Sequence, residues 1–434
     1  MASLRRADPP PDPLLTSLVT PSTTSPRSDA SELNSQLQRE LDRLDHAHRR
    51  RSLRPVRPEN RYVHRDGQRL LNLASNDYLG LSLHPSLRDA VARAARAHGS
   101  GATSSRLVVG HFDLHAQVEA RFAAFKHAEA ALVLPTGFMA NLAVLTSLAR
   151  EGDLVCLDKL VHASLIDAAR ASGAAVRSFP HLQLDRLERL LSRHVEQAGE
   201  VTDPLTGLVR CARRLVVTDS VFSMDGDTAD LPGLLEVCER YAATLVVDEA
   251  HGTGVLGDRG SGLAEAQGVA GRVPITISTA SKALGGLGGM VTADRVVIDT
   301  LVNRARSLIY TTGVPPTQLA AIDAALDLVE AEPGRRERLR ILSTRMRSEL
   351  SDRGWQLPEP AHVTPILPLL AGEPEAALAL AERLEQHGIL GVAIRPPTVA
   401  PGTSRVRLCL RADLDDDECD KVLSAIGTPR GDRV

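Results

Sequence analysis

This chain lacks the marks of a disulfide framework or a zinc site. Its five cysteines, at 156, 211, 238, 409 and 419, are scattered, odd in number and include no CxxC pair, so no metal is expected and a reducing cytoplasmic setting fits best. No glycine-rich loop ending in GK[ST] occurs. That excludes the phosphate cradle of a nucleotide-driven motor, although the string DEAH at 248–251 is also found in helicases. Gly285, Gly286, Gly288 and Gly289 do not form a GxGxxG turn ahead of a helix and a ribose-binding acid, so a nicotinamide site is unsupported. An excess of one charge is missing too: 51 basic residues stand against 54 acidic ones, with no bias toward nucleic acid or an anionic membrane. The uncharged run from Ala130 to Ala149 is broken by Pro135, Thr136, Gly137 and Asn141 and reads as strand, turn and helix rather than a membrane span. The first residues show no long apolar core before a small-residue cleavage site, so no secretory signal is expected.

With 434 residues the chain has room for a large core and more than one lobe. Residues 1–29, rich in Pro, Ser and Thr, bury too little apolar surface to offset ordering entropy and are expected to form a disordered tail. Residues 30–70 read as an amino-terminal arm, opening on the helical pattern LNSQLQRELDRL and the basic run HRRRSLRP. Over 71–315 apolar runs at 131–134, 154–157, 215–218, 245–247, 275–278 and 289–292 alternate with amphipathic stretches such as 137–148, 164–171 and 231–241. Strand and helix in alternation predict an α/β domain with a mostly parallel sheet and helices on both faces. From 316 to 434 the pattern changes to long helices over 317–331 and 336–352 and short strands near 363–367, 392–394 and 405–410, a smaller α+β domain.

The chemistry gathers at predicted strand ends. TLVVDEAH at 244–251 reads as a buried strand delivering Asp248 and His251 at its carboxyl end, and Lys282 lies 34 residues beyond Asp248 in STASKALGG. A carboxylate that holds a proton on a heterocyclic nitrogen, together with an imine-forming lysine, suggests pyridoxal phosphate. Singly, the same residues read as a helix cap and a solvated amine. Thr136, Gly137 and Phe138 stand where a strand becomes a helix, which suits a phosphate or is a plain helix start. Thr279 offers a hydroxyl to the same phosphate. His162 caps a helix, sits in the core, or stacks on the cofactor ring. His251 and Ser223 are candidates for its phenolic oxygen, or for local turn bonds. Arg405 and Arg407 share a strand face, and one of Arg395, Arg405 and Arg407 is a candidate grip for a substrate carboxylate.

Eight strings carry a resemblance: SNDYLGL at 75–81, TGFMAN at 136–141, HASLIDAA at 162–169, VFSMDGD at 221–227, DEAHGTGVLG at 248–257, STASKALGG at 278–286, LIYTTGVPP at 308–316 and IRPPTVAPGTSRVR at 394–407. In this order and spacing, over residues 32–425, the chain resembles the α-oxoamine synthases. The resemblance implies the aspartate-aminotransferase fold of pyridoxal-phosphate enzymes, fold type I, with a seven-stranded sheet. It implies decarboxylative condensation of an amino acid with an acyl thioester; DEAHGTGV and AIRPPTV favour the biotin-synthesis branch, with L-alanine and pimeloyl-CoA or a pimeloyl carrier protein as partners. Carried over, Lys282 bonds the cofactor and takes the Cα proton, Asp248 pairs with the ring nitrogen, and His162 stacks on the ring. Ser223 and His251 serve the phenolic oxygen, and Gly137, Phe138 and Thr279 hold the phosphate. Asn76 and Arg407 meet the amino-acid carboxylate. Family members are homodimers, which places Thr311 and Thr312 at the partner's phosphate. Arg51 is a candidate for the far carboxylate of the acyl chain. Two positions depart from the pattern: VAPGT stands for VPxGT, and Asp219 for the usual glutamate. A silent binding subunit would be expected to have lost Lys282.

Overall fold

The computed structural model describes residues 32–197, 199–358 and 360–429; the tail expected over 1–29 lies outside them. The chain divides after Ser52 into two units. Of the first, the helix Glu32–His46 is described, with Leu33, Leu37, Leu41 and Leu44 all exposed along it.

The second unit is built on a seven-stranded sheet in the order Ala130–Leu134, Gly289–Ala293, Ile275–Thr279, Thr244–Asp248, Arg214–Asp219, Leu154–Asp158, Ala175–Phe179. Gly289–Ala293 pairs antiparallel with both of its neighbours and every other pairing is parallel, so the remaining six strands point one way. Their apolar runs are continuous because both faces are covered. Side chains alternate across the sheet: Leu132, Val155, Val217, Val246 and Ile277 pack on one side with the helices Gly137–Leu148, Ala163–Ala171 and Arg295–Arg304. Val133, Cys156, Val216, Val247 and Met290 face the other side, under Asp113–Phe125, Leu231–Arg240 and Pro316–Ala331. The run that raised a membrane span is the strand Ala130–Leu134 followed by the helix Gly137–Leu148. No described helix is long and apolar enough to cross a membrane.

Beyond Pro316 a second, antiparallel sheet sets Ser404–Cys409 between Ile366–Gly372 and Val392–Ile394. The first of these starts at Ile366, three residues later than the sequence pattern put it, because the apolar register that faces the core runs Ile366, Leu367, Leu369. A meander of Arg57–Glu59, Tyr62–Arg65 and Gln68–Asn72 joins Ile389–Leu390 in parallel through its last strand. Two parts of the chain far apart in sequence thus share one sheet.

Candidate active site

Because six strands of the large sheet point one way, their carboxyl ends open on a single edge, where α/β sheets bind ligands. A cavity of about 240 Å³ lies there, lined by residues at or just beyond five of those ends: Gly137 and Phe138, His162, Asp219, Asp248 with His251, and Thr279 with Lys282. The antiparallel strand packs against the turn at its rim. Gly289 passes so near the Thr136 turn that a Cβ built on it would lie 2.3 Å from the Thr136 carbonyl oxygen. Gly289→Ala must therefore push two backbones apart, and is expected to lower stability by about 1–3 kcal/mol, read as a lower thermal midpoint.

Asp248 is buried and oriented by two donors: the N–H of Ala250 donates to its Oδ1 at 2.9 Å, and Asn141 Nδ2 donates to its Oδ2 at 3.0 Å. The same amide nitrogen donates to Ser164 Oγ at 2.7 Å, which leaves that hydroxyl to donate to His162 Nδ1, also at 2.7 Å. With the Ser164 N–H directed at Nδ1 as well, at 3.3 Å, Nδ1 is an acceptor and the neutral ring carries its proton on Nε2. Burial holds His162 below its ordinary pKa despite the pull of Asp248. Asn141 and Ser164 received no role from the sequence. The signal was there in Asn141, a polar residue among the apolar ones in the first turns of its helix.

Lys282 has its pKa lowered to about 8, mainly by burial and also by Arg407, against the opposing pull of Asp248 and Asp219. Its amine is therefore substantially neutral at mildly alkaline pH, as imine formation and proton transfer require. Asp219 also lines the cavity, and burial together with the Asp248 charge raises its carboxyl well above the usual range. His251 is held well below its ordinary pKa by burial and by the charges of Lys282 and Arg407. Its Nδ1 lies 2.6 Å from the Tyr78 hydroxyl.

A second cluster lies behind Tyr78. Asn76 Oδ1 accepts from the Tyr78 hydroxyl at 3.2 Å and from Arg407 Nη2 at 3.3 Å, and Arg407 Nη1 donates to the Ser223 carbonyl at 3.0 Å. Arg407 has no carboxylate at ion-pair distance among the described residues, and its Nε is buried without a partner. Arg405, two residues earlier, is neutralised by Asp225. The buried, unpaired guanidinium is the feature that calls for an anionic ligand.

The structure thus gathers Gly137, Phe138, His162, Asp248, His251, Thr279 and Lys282 around one cavity and links Asn76 and Arg407 to it through Tyr78. Thr279 Oγ1 donates to the Gly288 carbonyl at 2.9 Å, so it meets a ligand as an acceptor. Ser223 presents its carbonyl to Arg407, and its side chain does not line the cavity; neither do Thr311 and Thr312. Arg395 follows the strand Val392–Ile394, and its carbonyl accepts the Thr398 N–H at 3.1 Å. Arg51 belongs to the amino-terminal unit.

The donor set fits pyridoxal phosphate. The first amides of the helix Gly137–Leu148 lack carbonyl partners within the helix, Asp248 supplies an oriented carboxylate, and Lys282 a desolvated amine. Comparisons with known proteins agree. The family model for aminotransferase class I and II matches residues 68–426. The 8-amino-7-oxononanoate synthase of Gluconacetobacter diazotrophicus is 45% identical over 394 residues, covering 89% of this chain and 94% of that protein. Serine palmitoyltransferase from S. paucimobilis, solved with PLP bound, superposes with a TM-score of 0.82 at 26% identity, over 92% of this chain and 98% of that one. The 8-amino-7-oxononanoate synthase of Francisella tularensis gives 0.69 at 27% identity, over 82% and 96%. Backbone likeness ranks the palmitoyltransferase higher, but at 26–27% identity both structures report the shared fold, and the 45% relative separates the branches. The chain belongs to the aminotransferase class I and II family of pyridoxal-phosphate enzymes and, within it, to the 8-amino-7-oxononanoate synthases.

Proposed function

We propose that this enzyme condenses L-alanine with a pimeloyl thioester to give 8-amino-7-oxononanoate, carbon dioxide and the free thiol. The alanine Cα gives up its proton and bonds to the thioester carbonyl carbon as the C–S bond breaks and the thiolate takes up a proton; the bond from Cα to the carboxylate then breaks, carbon dioxide leaves, and Cα is reprotonated. The observation that carries the reading is the pairing, in one cavity, of a lysine with a pKa near 8 and an oriented carboxylate, with an unpaired buried arginine alongside. When bound, pyridoxal phosphate supplies an aldehyde for the amine and an electron-withdrawing ring for the α-carbon.

The residues divide the work as follows. Gly137 and Phe138 would hold the phosphate with their amides, and Asp248 would keep a proton on the ring nitrogen. His162, its ring fixed by Ser164, and His251, which lines the same cavity, would hold the cofactor ring and its phenolic oxygen. Lys282 Nζ, held near pKa 8, would anchor the cofactor and carry the proton taken from, and returned to, the alanine Cα. Arg407 and Asn76 orient the alanine carboxylate. Arg407→Lys keeps the charge but loses the planar fork, and is expected to raise KM for alanine about 10- to 100-fold with KM for the thioester unchanged; equal shifts in both would remove Arg407 from the carboxylate site.

The same reading makes the enzyme a cytoplasmic homodimer. Phe138 lines the cavity yet is 47% exposed, and Tyr310, beside Thr311 and Thr312, is 71% exposed; apolar surface of this kind suits cover by a partner subunit. Thr311 and Thr312 then reach the partner's phosphate, and Arg51 meets the far carboxylate of the pimeloyl chain. The domains run 71–315 and 316–434 behind the arm. The test offers purified enzyme alanine with a panel of acyl-CoA and acyl carrier-protein thioesters and follows thiol release. Turnover with another acyl chain and none with pimeloyl would overturn the assignment.

A further inference from the structure

Outside the cavity, one histidine has both ring nitrogens on carboxylates. His181, two residues beyond the edge strand Ala175–Phe179, places Nδ1 2.9 Å from Asp158 Oδ1 and Nε2 2.6 Å from Asp227 Oδ2. Its ring meets that of Phe222 edge-on, with centroids 4.3 Å apart at 85°. Ionised carboxylates only accept, so each nitrogen has to donate and the ring is a cation. Burial lowers its pKa, but the bonds and charges of Asp158 and Asp227 outweigh burial and raise it to about 9. Asp225, paired with Arg405, also feels this cation, while Asp227 acts on the buried Arg347 and Asp158 on Asp219.

Each carboxylate partner organises one of the loops that build the site. Asp158 ends its strand and accepts the N–H of Leu160 at 2.9 Å and of Leu182 at 3.0 Å, folding the turn that delivers His162. Asp227 closes the loop that begins at Phe222: the Phe222 N–H donates to the Asp227 carbonyl at 3.0 Å, and Gly226 N–H to the Phe222 carbonyl at 2.8 Å. From this loop the Ser223 carbonyl receives Arg407. Asp158 is 1% exposed and Asp227 16%, so without the cation two poorly hydrated carboxylates would face each other and push these loops apart.

We propose that His181 is a positioning residue for the reaction: by binding Asp158 and Asp227 together it sets the spacing between the His162 turn and the Ser223 loop, and through Ser223 the place of the Arg407 guanidinium. This rests on the reading of His162 and Arg407 given above. A histidine whose pKa is raised on folding contributes fully below about 6.5 and loses that contribution as pH climbs through about 9.

Hydrogen–deuterium exchange on the holoenzyme, read beside KM and kcat, tests it with His181→Gln, Asp227→Asn and the double variant. In His181→Gln, exchange over 159–165 and 221–228 should rise about tenfold, with KM for alanine up by a similar factor and kcat changed less. Asp227→Asn keeps the cation on Asp158 and should loosen 221–228 alone. The double variant, which replaces two opposed charges with an amide pair, should recover most of both losses. In wild type the two segments should loosen selectively between pH 8 and 10, as His181 titrates by NMR. Unchanged exchange in both segments overturns the proposal, as does exchange that rises evenly across the chain. If alanine is not the substrate, the kinetic arm fails in wild type while the exchange pattern still judges His181.

Discussion

Lys282→Ala is expected to lower turnover by about 10⁴-fold, the largest effect of any single substitution in this chain, because on the proposed reading it removes the cofactor anchor and the proton-transfer base together. Among the described residues no other amine lines the cavity. The chain has only four lysines, and of the other three, Lys126 is buried against Thr253 and the Ser261 carbonyl while Lys159 and Lys421 are exposed. The variant should still bind pyridoxal phosphate through Gly137 and Phe138 but lose the visible absorbance of the wild type. In wild type the rate of reconstitution from apoenzyme should climb with pH and level off above about 8, where Lys282 becomes neutral, rather than continue toward 10.5, the ordinary lysine value. Activity within tenfold of wild type, or a reconstitution midpoint near 10, would remove Lys282 from this role.

How much of this could be read from the sequence depended on whether the signal was local. The strand ending at Asp248 was legible because Leu245, Val246 and Val247 are buried from both sides and leave an unbroken apolar run. Ala175–Phe179 was not: it is an edge strand with little cover, only Phe179 in it is fully buried, and Arg177 and Ser178 stand in solvent. The meander over 57–72 escaped because its sheet is completed by Ile389 and Leu390, more than 300 residues away. In the site, Asp248, Lys282 and His162 announced themselves by residue type at strand ends. Asn141 and Ser164, which orient two of them, act through bonds made when two helices pack side by side, and nothing in the spacing of 141 and 164 reports that. The alternation that put Arg405 and Arg407 on one face could not rank them either. Asp225 does, by neutralising Arg405 and leaving Arg407 for a ligand.

Asp248→Asn is the sharper test of the site's electrostatics, since it changes one atom and no volume. The carboxylate accepts from two donors, Asn141 Nδ2 and the Ala250 N–H. An amide has one acceptor and one donor, so either Asn141 or Ala250 would then face an N–H, and the Asn141–Ser164–His162 chain loses its anchor. The charge is lost as well. Asp248 raises the pKa of Lys282 and opposes the burial that lowers it, so its removal should move the reconstitution midpoint below 8, toward acid. Turnover should nonetheless fall about 10²- to 10³-fold, because a neutral amide cannot hold the ring-nitrogen proton. The two measurements move in opposite senses: Lys282 is freer to react with the aldehyde, yet the bound cofactor is a weaker electron sink. A midpoint that stays at 8 would show that Asp248 does not reach Lys282 electrostatically, and turnover within threefold of wild type would show that the ring nitrogen is served by another group.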